Sequence, residues 1–273
     1  MYQSSTPANP QIDEPYANVL GVGIHGIDLP RAVEILKESA RGNRKGYVCV
    51  TGVHGVMEAQ RHPSFRKILA NALLVTPDGM PTVWVGKAQG LHQMQRVFGP
   101  ELMLQVCQQS VSEGLTHFLY GGKPGVAERL QLNLERLCPG IKILGTYTPP
   151  FRTLETGEKL QLQSLVERLR PDIIWVGLST PKQEIFMSEN INNLACTLMI
   201  GVGAAFDIHT GEVSDAPTWI KQAGLQWFHR LCQEPARLWK RYLINNTGFL
   251  WKIMLQFSGL RDYDLTSRED TRL

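Results

Sequence analysis

Leu73-Leu74-Val75-Thr76-Pro77-Asp78-Gly79-Met80-Pro81-Thr82 is the stretch on which the reading of this 273-residue chain turns. An apolar run enters Pro-Asp-Gly directly, and helix-compatible residues follow. The pattern predicts a buried strand, a sharp turn and a helix, so Asp78 falls at the carboxyl end of a parallel strand. In open α/β sheets that edge is where ligands bind. Asp78 is therefore a candidate catalytic carboxylate. The competing reading is an Asx-type turn or a helix N-cap, which Asn or Ser would fill as well.

The same alternation extends outward in both directions. Residues 19–27 read as a strand with glycine breaks, and Asp28 as the cap of a helix over 30–40, with Pro30 in an allowed first-turn position. Further strand patterns lie at 47–51, 116–120, 141–147, 172–178 and 197–202. Helical patterns at 101–113, 124–137, 160–169 and 183–190 separate them. Strands alternating with helices imply an α/β fold: a mostly parallel, Rossmann-like sheet covered by helices on both faces. From about Ala216 the pattern turns to helices alone, a helical, basic C-terminal appendage. The expected organisation is a flexible tail over 1–16, an α/β catalytic domain over 17–214, the appendage over 215–258 and a disordered charged tail over 259–273.

The formal net charge of +3 is too small to imply nucleic acid, but its distribution is uneven. Lys221, Arg230, Arg237, Lys240, Arg241 and Lys252 face only Glu234 between residues 217 and 257, so that segment carries +5 and the remainder −2. It also holds Trp219, Trp227, Trp239 and Trp251, four of the six tryptophans. Aromatic residues interleaved with Arg and Lys suit an anionic membrane surface; the alternative is that these helices pack on the sheet with their basic residues in water. The five cysteines are odd in number and form no Cys-x-x-Cys pair, which favours a reducing compartment. Residues 1–15 lack a basic-then-apolar signal pattern, and no apolar run approaches the roughly 20 residues of a membrane span.

Three strand ends carry glycine-rich or polar loops. Gly121-Gly122-Lys123-Pro124-Gly125 joins a strand to a helix, where backbone N–H groups can hold phosphate oxygens and Lys123 adds charge. A plain tight turn reads as well there. In Gly177-Leu-Ser-Thr-Pro-Lys-Gln-Glu184, Gln183 falls in a first helical turn near the strand-end crevice, and Thr180 with Gln183 also fits a capping box. Gly201-Val-Gly203-Ala-Ala-Phe-Asp207 allows close backbone approach to a ligand, with Asp207 able to accept from a base or ribose. Thr51 ends its strand on the edge that Asp78 occupies, and His54 follows as a possible base or a structural histidine. No His/Asp/Glu grouping has metal-ligand spacing, so neither metal nor cofactor is assigned.

The ordered series of motifs resembles a known family. Thr-Pro-Asp-Gly-Met, Arg96-Val97, Gly-Gly-Lys-Pro-Gly-Val-Ala-Glu, Pro-Lys-Gln-Glu and Ile-Gly-Val-Gly-Ala-Ala-Phe-Asp are followed by Ala-Pro-Thr-Trp-Ile, Gly-Leu-Gln-Trp-Phe-His-Arg and Glu-Pro-Ala-Arg-Leu-Trp-Lys-Arg-Tyr. Over residues 18–243 this is similar to the WecG/TagA/CpsF glycosyltransferases (family 26). The resemblance implies inverting transfer of an N-acetylmannosamine-type sugar from a UDP-sugar to a polyprenyl-diphosphate-linked sugar, by a peripheral protein on the cytoplasmic membrane face. It implies Asp78 as general base, Thr51 as a strand-end threonine, and Arg96 and Gln183 as pocket residues. Asp207 would lie near the uridine, and Arg230, Arg237 and Lys240 would supply charge for diphosphate. Many members read Thr-Pro-Asn-x-Glu where this chain has Thr51-Gly52-Val53-His54-Gly55, a departure that bears on donor and acceptor recognition.

The chemistry fits those residue types. An inverting transfer needs one base for the acceptor hydroxyl, and the departing UDP needs its charge stabilised. The runner-up is a dinucleotide-dependent oxidoreductase, for which Gly21-Val-Gly-Ile-His-Gly26 matches the fingerprint only in spacing. A third reading is a non-catalytic membrane-surface adaptor. A homo-oligomer is compatible with the sequence.

Overall fold

The computed structural model describes residues 12–266. The chain opens with β1 (Tyr16–Val19) and β2 (Val22–His25), followed by α1 (Leu29–Arg41), β3 (Gly46–Thr51), α2 (Val53–Arg61), α3 (Pro63–Asn71), β4 (Leu74–Pro77), α4 (Met80–Ala88) and α5 (Gly99–Ser110). Next come β5 (Thr116–Gly121), α6 (Val126–Leu137), β6 (Lys142–Tyr147), α7 (Thr156–Leu169), β7 (Ile173–Gly177), α8 (Lys182–Asn190), β8 (Leu198–Gly201) and α9 (Ala205–His209). The helices α10 (Thr218–Gln222), α11 (Gln226–Gln233) and α12 (Pro235–Phe257) follow.

Strands β3 to β8 form one parallel sheet in the order β4-β3-β8-β7-β5-β6, the expected α/β architecture. Side chains alternate across a strand, and here the alternation divides the core in two. Val48, Val50, Ile173, Trp175, Leu198 and Ile200 pack under α1, α5, α6 and α9. Their neighbours Tyr47, Cys49, Ile174, Val176 and Met199 face the opposite way, against α2, α3, α7 and α8. Trp175 is fully buried, and its indole N–H donates to His117 Nδ1 at 3.1 Å.

Residues 19–27 do not form the single strand expected from their sequence. They belong to an antiparallel hairpin outside the main sheet, with Val19 paired to Val22 across Leu20-Gly21. Leu20 and Gly21 have φ of 54° and 79°. Positive φ at both central residues is what a two-residue hairpin turn needs, and a leucine in the first of those positions hides the turn from sequence reading. The Asp28 cap is present, accepting from the Arg31 N–H at 3.0 Å.

Helix α12 is fastened to this hairpin. Gln256 donates from Nε2 to the Asn18 carbonyl at 2.8 Å and accepts at Oε1 from the Leu20 N–H at 3.0 Å. Beyond the helix, Asn18 Nδ2 donates to the Tyr263 carbonyl at 2.7 Å, Arg66 donates to the Asp264 carbonyl, and Tyr263 is buried. The stretch expected to be a disordered tail from residue 259 is thus tied down as far as Asp264; residues 267–273 lie outside the described part. At the other end, residues 1–11 of the expected flexible tail lie outside the described part, while Ile12 is buried and Glu14 pairs with Arg31 at 2.6 Å.

Gln256 is the side chain that joins helix to hairpin, and its loss leaves the Leu20 N–H without its partner, while the Asn18 carbonyl keeps the donor from Gln89 Nε2. Gln256→Ala is expected to lower stability by about 1–3 kcal/mol. Urea denaturation should show a lower midpoint at an unchanged slope.

Candidate active site

The carboxyl ends of β3, β4, β7 and β8 open into one crevice of about 640 Å³. Its floor is built by backbone contact between the first two of these strands. The Asp78 N–H donates to the Thr51 carbonyl at 3.0 Å. A Cβ at Gly52 would stand 2.5 Å from the Asp78 carbonyl oxygen, so only glycine lets the two strand ends come this close. The Val97 N–H donates to the Pro77 carbonyl at 2.8 Å, which brings Arg96 and Phe98 to the rim beside Asp78.

Cations gather around the carboxylate from both parts of the molecule. The Arg96 guanidinium is nearly buried, lies 4.5 Å from the centre of the Phe98 ring, and donates to the side chain of Gln226 in α11. Glu101 lies 3.4 Å from Arg96 and 3.0 Å from Lys221 of α10, which also binds Asp215. Glu101 therefore fastens the appendage to α5. Arg230 reaches into the crevice from α11, 3.6 Å from Glu234. Asp78 itself is half-buried. Burial pushes its carboxyl up to about 6, Arg96 and Arg230 draw it back down, and Glu101 raises it slightly.

Gln183 is buried and holds two loops together. Its Oε1 accepts from the Gly203 N–H at 3.0 Å, and its Nε2 donates to Glu184 Oε1 at 3.1 Å. The Thr180 hydroxyl donates to the same Glu184 oxygen at 2.7 Å. The capping box expected at Thr180 is thus absent: α8 begins at Lys182 with Pro181 in the N-cap position and no side-chain cap, because the Thr180 hydroxyl is engaged by a buried carboxyl one turn on. Burial raises the Glu184 carboxyl above its ordinary range.

Of the residues singled out from sequence, the crevice brings together Asp78, Arg96, Gln183, Gly203 and Arg230. Thr51 is buried just beneath, its hydroxyl on the Cys49 carbonyl. Gly121 ends β5 opposite Gly177, and Gly122 and Lys123 follow it, one strand along the sheet from the crevice wall. Gly201 ends β8 behind the wall, and Asp207 lies half-buried in α9. Lys240 is exposed, 5.5 Å from the centre of the Trp239 ring. Arg237 falls in α12, and its side chain lies outside the described part. Gly21 and Gly26 belong to the hairpin region and not to a strand–helix turn of the main sheet, which removes the dinucleotide fingerprint. The residues not foreseen are those of the second wall: Met80, Trp84 and Val85 of α4 face Phe249, Leu250 and Ile253 of α12. Arg241, Tyr242 and Asn245 of α12 complete its polar end. The one available signal was the apolar periodicity of the two helices, which does not say what they face.

The model of the glycosyl transferase WecG/TagA/CpsF family matches residues 17–263. An N-acetylglucosaminyldiphosphoundecaprenol N-acetyl-beta-D-mannosaminyltransferase of Bacillus spizizenii is 28% identical over 218 residues, 79% of this chain and 82% of the relative. A protein of the same name from Bacillus subtilis is 28% identical over 176 residues, 64% of this chain and 66% of the relative.

The raised Asp78 carboxyl has a consequence for stability. Since the folded state holds this proton more tightly than the unfolded chain, Asp78 favours folding fully below pH 3.8 and loses that contribution as pH rises through about 6. Asp78→Asn removes the penalty. It should stabilise the protein at pH 7.5 by on the order of 2 kcal/mol, with the gain vanishing near pH 4, as read from denaturant midpoints across pH. Arg230→Gln should move the Asp78 titration upward, measured by NMR of the carboxyl carbon.

Proposed function

The chain belongs to the WecG/TagA/CpsF glycosyltransferase family, and from that premise we propose that it moves an N-acetylmannosamine-type sugar from a UDP-sugar to a polyprenyl-diphosphate-linked sugar, with inversion, at the cytoplasmic membrane surface. The observation that carries the reading is a half-buried carboxylate poised near neutrality, ringed by arginines, in a crevice whose far wall is apolar. At pH 7 Asp78 is mostly ionised yet basic enough to take a proton, the compromise a general base requires. The acceptor hydroxyl gives its proton to Asp78 and its oxygen bonds to the anomeric carbon. The bond from that carbon to the UDP oxygen breaks, and the electron pair leaves with the diphosphate. Arg96, Arg230, Lys221 and Arg241 line the same space and supply the positive charge on which that pair settles.

The donor is assigned to the polar end. Its diphosphate would lie against Gly203 and the arginines, with the nucleoside directed toward Asp207 and the loop of Gly121, Gly122 and Lys123. The wall of Met80, Trp84, Phe249 and Leu250 suits the hydrocarbon next to an acceptor diphosphate. Among the described residues no helix is long and apolar enough to cross a membrane. The appendage instead leaves Trp219 67% and Trp251 61% exposed, with Leu250, Met254 and Phe257 also exposed, on a segment of net charge +5. Such a surface is drawn to anionic lipid by up to about 1 kcal/mol per basic residue, and salt weakens the attraction.

Calorimetry should detect UDP binding with EDTA present and none of NAD; the opposite result removes the nucleotide assignment. With a short-chain lipid acceptor, mass spectrometry should find a product heavier by one N-acetylhexosamine unit. Asp78→Asn should cut turnover by roughly 10²–10⁴-fold with UDP affinity nearly intact, and full turnover in that variant would take Asp78 out of the mechanism. Binding to anionic vesicles should fall as salt rises.

A further inference from the structure

His54 stands at the meeting point of three segments that build the crevice: the start of α2, the loop before α8, and α12. Asn245 is buried on α12 and uses both ends of its amide on α2. Its Oδ1 accepts from Arg61, and its Nδ2 donates to His54 Nδ1 at 2.9 Å. A guanidinium has only donors, so the Asn245 oxygen must face Arg61 and its NH2 must face the histidine. His54 Nδ1 must then present a lone pair. The ring is also hydrogen-bonded to the Thr180 backbone, which leaves Nε2–H as the donor to that carbonyl. Gly248, one turn further along α12, lets Met57 of α2 pack close against the helix.

We propose that neutral His54 is a positioning residue that locks α12 onto the catalytic domain, and that its protonation releases the helix. A proton on Nδ1 would set two donors face to face. Flipping Asn245 would only move the conflict to Arg61, so the joint must break on one side or the other. The charged groups acting on the ring are Arg241 of α12, and Glu58 and Arg61 of α2, with Glu58 3.9 Å from Nδ1; the loop before α8 presents a backbone carbonyl. Burial and Arg241 together hold His54 below its ordinary value. The joint is therefore closed at neutral pH and opens in acid. Arg241 and Tyr242 sit one helical turn before Asn245 on the crevice wall, so their placement on that wall depends on it.

This inference rests on the crevice being the site of transfer, but its test needs no turnover and so fails or survives separately. Asp78, its carboxyl pushed up to about 6, also changes charge on acidification, so the test is run on full-length Asp78→Asn protein. Hydrogen–deuterium exchange of α12, corrected for the intrinsic pH dependence, is compared between pH 7.5 and 5. Protection of α12 should fall at least about tenfold on acidification while the sheet stays protected. Adding His54→Gln, whose amide can accept from Asn245 and donate to Thr180 without titrating, should keep α12 protected at both pH values. Adding His54→Leu should give the lowered protection of α12 at both. Equal protection at pH 7.5 and 5 in the parent, or an acid loss that persists in His54→Gln, would overturn the proposal. If His54→Leu fails to fold, those two comparisons decide alone. In the Asp78-containing protein, kcat/KM for the acceptor should drop about tenfold in His54→Leu and recover in His54→Gln, with UDP affinity unchanged; an equal loss in both variants would also overturn it.

Discussion

A carboxylate that folding would rather protonate lies at the centre of this molecule. Asp78 is set at the end of a buried strand, and the burial that raises its carboxyl is opposed by Arg96 from the domain and Arg230 from the appendage. Neither cation is held alone. Arg96 is fixed by Gln226 and Phe98, and Glu101 ties Arg96 and Lys221 into one patch. Asp78 is therefore kept ionisable by groups that arrive on separate elements. The placement of α10 and α11 is a condition of the charge state at the floor of the crevice, and an appendage that looks peripheral in sequence is electrically part of the site.

That dependence explains why the appendage is anchored at both ends. Near its start, Lys221 and Gln226 bind side chains at the crevice rim. At its far end, Gln256 and the residues after α12 hold the β1–β2 hairpin, and Phe249 and Tyr263 are buried in the same core as that hairpin. Between these anchors, the joint of Asn245 with His54 and Arg61 is the polar contact that sets the middle of α12. A helix fixed at its ends and pinned between them can close a crevice without crowding it.

Much of this was legible in the sequence, for definite reasons. The parallel sheet announces itself because its strands are buried on both faces and read as apolar runs between helical patterns. Asp78, Gln183 and Arg230 were found because strand ends and a charge-biased segment are local signals, whereas Arg96 came only from the family resemblance. The hairpin was missed because its turn uses leucine where a small or polar residue is usual. The Thr180 cap was misread because Glu184, a residue that normally stays in water, is buried and takes the hydroxyl instead. The glycine loop after β5 is a strand end like the others, but strand order is a property of the sheet, and only the order puts it one strand along from the crevice wall. The crevice wall to which α4 and α12 both contribute joins residues more than 150 apart in the chain, and no local pattern encodes it.

The two walls of the crevice divide the physical work. On the polar side, fixed donors such as the Gly203 loop, bracketed by Gln183, need little reorganisation when charge develops nearby. On the apolar side, Phe249, Leu250 and Ile253 offer nothing to hydrogen-bond along the wall, so a ligand tail there would displace water at little polar cost. Filling that side would lower the dielectric around Asp78 further, raising its carboxyl and strengthening its attraction to Arg96 and Arg230 at once. These two changes oppose each other, and the cations decide the balance. On the reading proposed above, an acceptor arriving with its own diphosphate would add negative charge beside Asp78 and push its proton affinity up as the hydroxyl arrives. The base would then be strongest when a substrate is present to use it.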